Sequence, residues 1–451
     1  MFTTLRRIPR SPLFWILLFV TVYRFGLSFF YSEPKFFGDT LSYITASQNL
    51  TSLRHGDVDV LRPPVYPAFI AVHRMIFGEE HLLEWIVRTQ QLISWLSVIA
   101  LYYTGMNLFK NKILVILATL CFALNTGVSY FNVSILSESP AVSGIIFLMA
   151  LLISYLRHPT FLKAFLLGIT VFLLIMLRPA FLVFLPVFLL FWGCRLLFVR
   201  KMRKKDAMGL VTTLAGLFLV LGYCHLNSKK CGVFTLTVAS PNNQFVCMLQ
   251  SGLYQKDNTE ISCRTQSAME EYRKQYWYIT DAEPNWLLLA DGIGFDDPIN
   301  FRDRVWAREG FHVSTEQKNI YVTQMIKKNK IAYAEYLLKK TVMLGLNTGR
   351  FIKFAFVYAL ILLDFFVILL FMKRSPVNQT LFLTVLWMIV TGGFVTAIVG
   401  SHAEYERLVF PVSSLVILMF FSVIDHFTRW QFVHDEISGR RKITVDILLQ
   451  K

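Results

Sequence analysis

Ten apolar runs follow one another along this chain, and each is close to the length that crosses a membrane. A helix needs about 20 predominantly apolar residues to span the hydrocarbon core of a bilayer. We predict ten such spans, at roughly 12–30, 85–106, 113–131, 139–156, 163–177, 179–198, 207–226, 351–372, 379–399 and 409–425. The expected fold class is an all-α polytopic membrane protein.

Composition agrees with a membrane environment and excludes most other classes. Charged residues make up 16% of the 451 residues and hydrophobic residues 55%, whereas soluble domains carry roughly 25% charged residues. A soluble protein of this size could not bury so much apolar surface, because its outside needs polar side chains. The same composition excludes a disordered chain, a collagen, a coiled coil and a small disulfide scaffold.

Two features of the span pattern concern helix boundaries. Only Arg178 and Pro179 separate the runs 163–177 and 179–198. One helix of their combined length would be too long for a single crossing, so we predict a tight outer hairpin. The first run, 12–30, is long and is not followed by a small-residue cleavage site, so we expect a retained span rather than a signal peptide.

The formal net charge of +16 is distributed unevenly between the two sides of the predicted bundle. An even number of spans puts both termini on one side, whose loops and tails carry 20 basic and five acidic residues. Loops rich in Lys and Arg stay in the cytoplasm, so we expect cytoplasmic termini. The excess charge is a topology signal, to which attraction for anionic lipids can contribute, and not a nucleic-acid footprint.

Two long segments then fall on the outer side. The loop 31–84 follows the first span, and the 114-residue segment 227–340 separates spans seven and eight. The expected regions are a bundle of spans one to seven with this outer loop at 1–226, an extracytoplasmic segment at 227–340, spans eight to ten at 341–426 and a cytoplasmic tail at 427–451.

Sequence patterns predict that the extracytoplasmic segment is α-rich. Its helical patterns lie near 266–278, 315–328 and 331–346. Thr315, with Ser314 before it, is expected to form the N-cap of the second of these helices. The segment also holds Cys247 and Cys263, and in an oxidising compartment we expect a disulfide between them.

The first polar cluster on the outer side follows span one. Asp39 stands directly after Gly38 and before an amphipathic stretch, 40–53, that includes Tyr43. Asp before an apolar-periodic run is a common N-cap. A capping role therefore competes with a chemical role for Asp39.

The second polar cluster combines two carboxylates with a proline-rich turn. Asp57 and Asp59 precede Arg62, and three prolines surround Tyr66 and stop helix formation. An Asp-x-Asp pair could hold a divalent cation through its oxygens, although on a polar loop such a pair is more often solvated charge. A divalent cation is the one cofactor that the sequence suggests.

Three further polar sites lie at the outer ends of predicted spans. Glu138 opens span four, where it could belong to a capping segment. Arg178 lies at the outer turn, where an interfacial Arg could simply extend its guanidinium to water. The very short link between spans nine and ten needs no high charge density, yet it holds His402, Glu404, Tyr405, Glu406 and Arg407.

Two ionisable residues fall inside predicted spans. Arg24 lies in span one, from which it could reach the outer interface, and Asp364 lies in span eight. Charged groups inside a membrane are costly, so both are functional candidates.

Carboxylates and guanidiniums from widely separated positions thus share the outer face. The carboxylates are Asp39, Glu138 and Glu404, and the guanidiniums are Arg62, Arg178 and Arg407. A carboxylate can act as a general base, and the guanidinium fork matches phosphate oxygens. A membrane enzyme that acts on a phosphorylated lipid would need both groups.

With these motifs, the chain resembles the polytopic GT-C glycosyltransferases that use polyprenyl-phosphate sugars, such as lipid A aminoarabinose transferases and protein O-mannosyltransferases. The motifs are Gly38-Asp39 with Tyr43, Arg62-Pro63-Pro64-x-Tyr66-Pro67, Ser137-Glu138-Ser139, Arg178-Pro179, and Glu404-Tyr405-Glu406-Arg407-Leu408 followed by Pro411. The resemblance covers roughly residues 1–200 and the last 60. The segment 227–340 has no counterpart.

The resemblance implies a GT-C-like fold and a single inverting displacement. Asp39 would accept the proton of the acceptor hydroxyl, while Arg178 and Arg407, together with Arg62, would hold the donor phosphate. The leaving group is already an anion, so one carboxylate suffices, unlike in glycosidases, which use two. Glu138 would orient the acceptor or bind a metal.

Substrates and location follow from the same resemblance. The other implied substrate-binding residues are Tyr43, Tyr66, His402, Glu404 and Tyr405. The implied partners are a polyprenyl-phosphate sugar donor, a lipid, glycan or protein acceptor and membrane lipids, with no nucleic acid. The implied location is the bacterial inner membrane, with the active site on the extracytoplasmic side.

Two other functional classes stay open. A transporter or flippase for a lipid-linked glycan would also have about ten spans, but we would expect internal repeats, broken spans and midplane charges. The third class is a non-enzymatic membrane subunit with an outer interaction segment. Neither class explains the density of polar side chains from His402 to Arg407.

Overall fold

The computed structural model describes residues 12–30, 33–51, 61–275, 313–346, 353–371, 377–400 and 405–437. Within these ranges the chain forms 17 α-helices, three short 3-10 helices and one isolated β-bridge. The predicted all-α class is therefore confirmed for the described part of the chain.

The helices fall into two sets on either side of the residues that follow Gln275. The first set comprises α1 Pro12–Phe30, α2 Thr40–Thr51, α3 Val65–Phe77, α4 Leu82–Leu108, α5 Lys112–Ala123, α6 Thr126–Asn132, α7 Glu138–Arg157, α8 Phe161–Leu177, α9 Phe184–Phe198, α10 Arg203–Cys231, α11 Ala239–Gln250 and α12 Glu260–Gln275. The second set comprises α13 Thr315–Lys328, α14 Lys330–Leu346, α15 Phe354–Phe371, α16 Val377–Gly400 and α17 Tyr405–Ile437.

Length and hydropathy identify several helices that could cross a membrane. Five qualify in the described ranges, or six if the bent pair α5 and α6 counts as one span. The five are Glu138–Arg157, Pro179–Phe198, Arg203–Cys231, Val377–Gly400 and Arg407–Thr428. The chain is therefore consistent with a multi-pass membrane protein, and five or six spans are supported where ten were predicted.

The other five predicted spans also fall on helices. One of them, 85–106, lies within the 27-residue α4, and the other four are short or bent. The described apolar parts of three are short, namely Pro12–Tyr23, Phe161–Leu177 and Phe354–Leu370. The predicted span 113–131 bends by 45° between α5 and α6. Asn125 causes this break, because its Oδ1 accepts hydrogen bonds from the N–H groups of Gly127 and Val128 and so starts a new helix.

The break predicted at Arg178-Pro179 is confirmed. Helix α8 ends at Leu177, and Arg178 is extended, with φ −144° and ψ 121°. A residue before proline is pushed out of the helical region by the proline ring. Pro179 then opens the 3-10 turn Pro179–Val183, which leads into α9.

Glycines allow the helices around this hairpin to pack closely. A Cβ atom added at Gly168 on α8 would lie 2.2 Å from Oγ1 of Thr212, and one added at Gly209 would lie 2.3 Å from the Trp192 ring. Small residues at helix contacts let backbones approach each other. Helix α10 therefore packs tightly against both α8 and α9.

An ionic contact joins α9 and α10 at the end of the bundle away from Arg178. Arg195 Nε lies 2.7 Å from Oδ1 of Asp206, and the Tyr155 hydroxyl donates to the same oxygen. Both charged side chains are buried. The two charges therefore neutralise each other inside the bundle.

Helix α10 extends beyond the predicted end of span seven. Helix α10 continues past residue 226 to Cys231 and ends at Gly232, whose φ of 72° suits a glycine at a helix C-terminus. Helices α11 to α14 then enclose a small apolar core that includes Phe245, Met248 and Tyr321.

The helix start predicted at Ser314-Thr315 is confirmed, with Ser314 as the cap. Ser314 Oγ accepts a hydrogen bond from the N–H of Gln317, and the Gln317 side chain accepts one from the N–H of Ser314. This reciprocal pair is a capping box. Helices α12 and α14 likewise overlap the other two helical patterns of the segment.

The expected disulfide is wrong. All six cysteines lie within the described ranges, and none of them forms a disulfide. Cys247 is fully buried, where its Sγ lies 3.8 Å from Nζ of Lys340, whereas Cys263 is on the exposed surface of α12. The two thiols therefore point into different environments.

Candidate functional site

Five predicted site residues meet at one end of the helical bundle. They come from the loop before α2, the loop before α3, the start of α7, the end of α8 and the start of α17. They are Asp39, Arg62, Glu138, Arg178 and Arg407, and we call them the charged cluster.

The loop that carries Asp39 is tied to the segment after α6. Lys35 forms a parallel β-bridge with Ser134, and its N–H lies 2.8 Å from the Val133 carbonyl. One turn later, Thr40 Oγ1 donates to the carbonyl of Ile135. Asp39 is therefore fixed close to the start of α7, which carries Glu138.

The Asp39 carboxylate binds two guanidiniums. Its Oδ1 pairs with Nη2 of Arg62, and its Oδ2 pairs with Nη2 of Arg407. Within the described chain, neither oxygen accepts a hydrogen bond from a backbone N–H of α2. The geometry therefore does not support the capping role for Asp39.

Glu138 forms the second carboxylate of the cluster. Its Oε1 accepts a hydrogen bond from Nε of Arg407 and lies 3.1 Å from Nη1 of Arg178. The Oε2 atom is buried without a hydrogen-bond partner in the described chain. Ser137, at the helix start, makes no capping bond and instead lies 3.1 Å from the Tyr43 hydroxyl. A capping role for this motif is therefore not supported either.

Exposure is graded across the charged cluster. The side chain of Asp39 is 30% exposed, whereas that of Glu138 is 0% exposed. The Arg62 and Arg407 side chains are each 16% exposed and that of Arg178 is 8% exposed. Asp39 is thus the carboxylate that solvent or a substrate can reach, and Arg178 is not an arginine extending into water.

Two opposing effects set the pKa of Asp39. Burial alone would raise the pKa of this carboxyl, but the guanidiniums of Arg407 and Arg62 outweigh burial and hold the pKa below its usual value. Opposite charges within a few ångströms favour the ionised form of a carboxyl group. Asp39 is therefore deprotonated at neutral pH, as a proton acceptor must be.

Arg62 is held from several directions. Its Nε donates to Oγ of Ser42 at 2.8 Å, and its guanidinium lies 4.7 Å from the centre of the Tyr43 ring. The hydroxyl of Tyr223 on α10 donates to the Arg62 carbonyl, and Thr237 Oγ1 donates to the preceding carbonyl of Leu61. The proline-rich turn is thereby anchored to α10 and to the segment that follows it.

Two predicted substrate-binding tyrosines lie beneath the cluster. Tyr43 and Tyr66 pack edge to face, with ring centres 4.9 Å apart, and Tyr66 is fully buried. The Tyr66 hydroxyl donates to Gln90 at 2.9 Å, and the Gln90 amide donates to the carbonyls of Asn132 and Ser134. Tyr66 therefore connects α3 to α4 and to the end of α6.

Tyr405 lies two residues before Arg407 and faces helix α14. The Nζ atom of the fully buried Lys340 on α14 lies 5.1 Å from the Tyr405 ring centre and 5.5 Å from that of Tyr336. Burial lowers the pKa of the Lys340 amino group, and the neighbouring Cys247 partly opposes that shift. The role of Lys340 could not be recognised from the sequence, because a lysine on an amphipathic helix is normally a surface residue.

Other sequence candidates lie outside the charged cluster. His402, Glu404, Asp57 and Asp59 lie outside the described residues, as does the Arg24 side chain. Among the described residues, no group of three or more His, Cys, Asp or Glu side chains could hold a metal ion. Asp364, on α15, is fully buried, and both its oxygens lack a hydrogen-bond partner in the described chain.

Comparison with known proteins gives a distant structural similarity. No protein family and no curated protein matches the sequence. The oligosaccharyltransferase of Archaeoglobus fulgidus in its apo form is similar, with 14% identity, a TM-score of 0.43 and coverage of 89% of this chain and 48% of that one. The oligosaccharyltransferase AglB from Archaeoglobus fulgidus, in complex with an inhibitory peptide and a dolichol-phosphate, is also similar, with 14% identity, a TM-score of 0.42 and coverage of 91% and 48%. The chain spans about half the length of these structures.

Proposed function

We propose that this protein is an integral membrane glycosyltransferase that transfers a sugar from a polyprenyl-phosphate donor to a lipid, glycan or protein acceptor. The observation that carries the proposal is the continuous series of ion pairs Arg62–Asp39–Arg407–Glu138–Arg178. It gathers a reachable carboxylate and three guanidiniums where membrane helices end. A phosphate-linked lipid substrate needs that combination of groups.

The reaction is a single displacement with inversion at the sugar. The acceptor hydroxyl attacks the anomeric carbon while the bond from that carbon to the phosphate oxygen breaks, and polyprenyl phosphate leaves as an anion. Asp39 takes the hydroxyl proton as general base. Of the two carboxylates in the cluster, only Asp39 is exposed enough to meet an acceptor.

The arginines bind the donor phosphate and stabilise the charge that grows on it as the bond breaks. Arg407 contacts both carboxylates, so a phosphate that binds Arg407 competes with Asp39 for the same guanidinium. Donor binding therefore weakens one of the two contacts that lower the pKa of Asp39 and makes the carboxylate a stronger base. Arg62 keeps Asp39 oriented during this exchange.

Glu138 acts on Arg178 and Arg407 rather than on the acceptor. It is fully buried between the two guanidiniums, which are cationic in proteins and would repel each other without it. Glu138 thus places the two forks side by side for one phosphate group. It is a positioning residue in this mechanism.

The test is a comparison of cells with and without the gene, using mass spectrometry of surface glycolipids and glycoproteins. We expect one glycan modification to disappear with the gene and to return with the wild-type chain but not with Asp39→Asn. Unchanged glycolipids and glycoproteins would contradict a transferase. This comparison also identifies the sugar and the acceptor.

A transporter of a lipid-linked glycan is the alternative, and Asp364 is the observation that favours it. A buried carboxyl group near the middle of an apolar helix is the type of residue that transporters use for coupling. Reconstituted protein separates the two functions. A transporter moves a labelled lipid-linked sugar across the bilayer without forming a new glycosidic bond, whereas a transferase forms the bond in detergent.

A further inference from the structure

A cavity of about 420 Å³ lies where α8 begins and where α9 gives way to α10. It is lined by Phe161, Lys201, Met202, Arg203, Lys204 and Lys205. Four of these six residues are basic, and we call this cavity the basic pocket.

The basic pocket is separate from the charged cluster. Phe161 is the first residue of α8 and Arg178 directly follows its last residue. A helix of this length spans ~25 Å, so the pocket and the cluster lie at opposite ends of α8. The pocket therefore plays no part in the reaction proposed above, and the inference below does not rest on that reaction.

Two of the basic side chains form the wall of the pocket. Arg203 Nε donates to the Leu196 carbonyl at 3.1 Å, and Lys205 Nζ donates to the Pro159 carbonyl at 2.9 Å. Each bond holds a cationic side chain against a backbone carbonyl at or just beyond the C-terminal end of a helix. Both cationic side chains are thus held at the wall of the pocket by backbone carbonyls.

The charge of the pocket is not neutralised by a nearby acid. Asp206, the acidic residue adjacent to this basic run, is buried and paired with Arg195 at 2.7 Å. Lys201 and Lys204 are exposed and form no hydrogen bond or ion pair with the described chain. An anion could therefore meet two available ammonium groups.

Exposed apolar side chains adjoin the basic pocket. Leu162 is 66% exposed, Leu197 is 69% exposed and Phe198 is 80% exposed. A basic cavity beside outward-facing apolar residues matches the boundary between the headgroup and hydrocarbon layers of a membrane. Basic pockets between membrane helices bind anionic headgroups at that level.

We propose that the basic pocket binds the phosphate headgroup of an anionic phospholipid, whose acyl chains lie along Leu197 and Phe198. The lysines supply the attraction for the headgroup phosphate. The exposed apolar residues favour a lipid over a free phosphate ion, because a free ion would leave them uncovered.

The test is native mass spectrometry of the full chain in detergent, titrated with phosphatidylglycerol, with phosphatidylcholine as the neutral lipid and inorganic phosphate as the free ion. We expect phosphatidylglycerol to bind preferentially. The double change Lys201→Gln with Lys204→Gln should weaken that binding roughly 30-fold, because each lysine near a membrane surface contributes on the order of 1 kcal/mol.

The matched control is Lys110→Gln with Lys112→Gln, which removes the same charge from exposed positions outside the pocket. We expect this control to bind phosphatidylglycerol as the wild type does. An equal loss in both double variants would overturn the proposal in favour of diffuse charge. Equal binding of phosphatidylcholine, or displacement of the lipid by inorganic phosphate at comparable concentration, would also overturn it.

Discussion

The carboxylate of Asp39 pairs with the guanidinium of Arg407, which lies 368 residues later in the chain. The pair joins the loop after the first helix to the start of the last helix. Since Arg407 also binds Glu138, any change at one carboxylate alters the balance at the other. The shared arginine and the different exposure of the two carboxylates therefore determine how variants of the cluster should behave.

Neutralising the buried carboxylate should cost far more stability than neutralising the exposed one. Glu138→Gln leaves Arg178 and Arg407 with no buried counter-charge between them, and breaking a buried pair costs about 3–5 kcal/mol. Asp39→Asn affects a pair that water can reach, so its cost should be at most about 1 kcal/mol. Thermal unfolding of both variants in detergent measures the difference. Equal loss in the two variants would contradict the graded burial of the cluster.

Arginine-to-lysine changes separate phosphate binding from a purely interfacial role. Arg178→Lys and Arg407→Lys keep the charge but lose the two-pronged guanidinium fork. Transfer should fall about 100-fold in each, the effect typical of losing one group that stabilises the developing anion. Arg264→Lys, at an exposed helical ion pair with Glu260, is the control and should keep wild-type turnover. Wild-type turnover in the first two variants would refute phosphate binding by these residues.

The pH dependence follows from the lowered pKa of Asp39. The ordinary pKa of an aspartic acid is about 3.9, and above that pH the Asp39 carboxyl is ionised in both the folded and the unfolded protein. Its ion pairs then stabilise the fold, and this stabilisation is lost only as the pH falls through the lower pKa of the folded state. We therefore expect kcat/KM to show no acidic limb from Asp39 between about pH 5 and 7.

The variant that tests this assignment is Arg62→Gln, which removes one of the two guanidiniums that lower the pKa of Asp39. Its acidic limb should move to higher pH, because burial then opposes ionisation more effectively. An acidic limb near pH 6 in the wild type, unchanged in Arg62→Gln, would show that a different group titrates.

The expected sidedness can be tested with one native and one introduced thiol. Cys263 is exposed on α12, in the segment expected outside, and Lys204→Cys places a thiol on the side expected to be cytoplasmic. A membrane-impermeant maleimide should label Cys263 in intact cells and the introduced thiol only after permeabilisation, with Cys263→Ser as the background. Labelling of both from the same side would contradict the positive-inside assignment.

Much of the helical framework could be predicted from local sequence signals. The apolar runs indicated the helices, the Arg178-Pro179 pair indicated a break, and Ser314 indicated a helix start, all of which depend on neighbouring residues alone. The number of spans could not be predicted as well. Local breaks such as the Asn125 cap interrupt an apolar run without changing its average hydropathy.

The candidate site could be predicted only as a set of residues on one face. The sequence indicated Asp39, Glu138 and Arg407 as candidates. It did not indicate which of them form ion pairs, because those pairs depend on how distant helix ends meet. It also offered no signal for Lys340 or Gln90, whose burial depends on tertiary packing. The disulfide prediction failed for the same reason, since separation along the chain does not determine which way a thiol faces.

The most direct test of the central claim is the transfer rate of purified Asp39→Asn beside Glu79→Gln, which neutralises an exposed carboxylate paired with Arg74. Asn keeps the shape of Asp but cannot accept the proton, and a general base typically contributes 10²–10⁴-fold to a rate. We predict that Asp39→Asn folds with near wild-type thermal stability and loses transfer by about that factor, while Glu79→Gln transfers normally. A folded Asp39→Asn protein with a near wild-type rate would contradict Asp39 as the base.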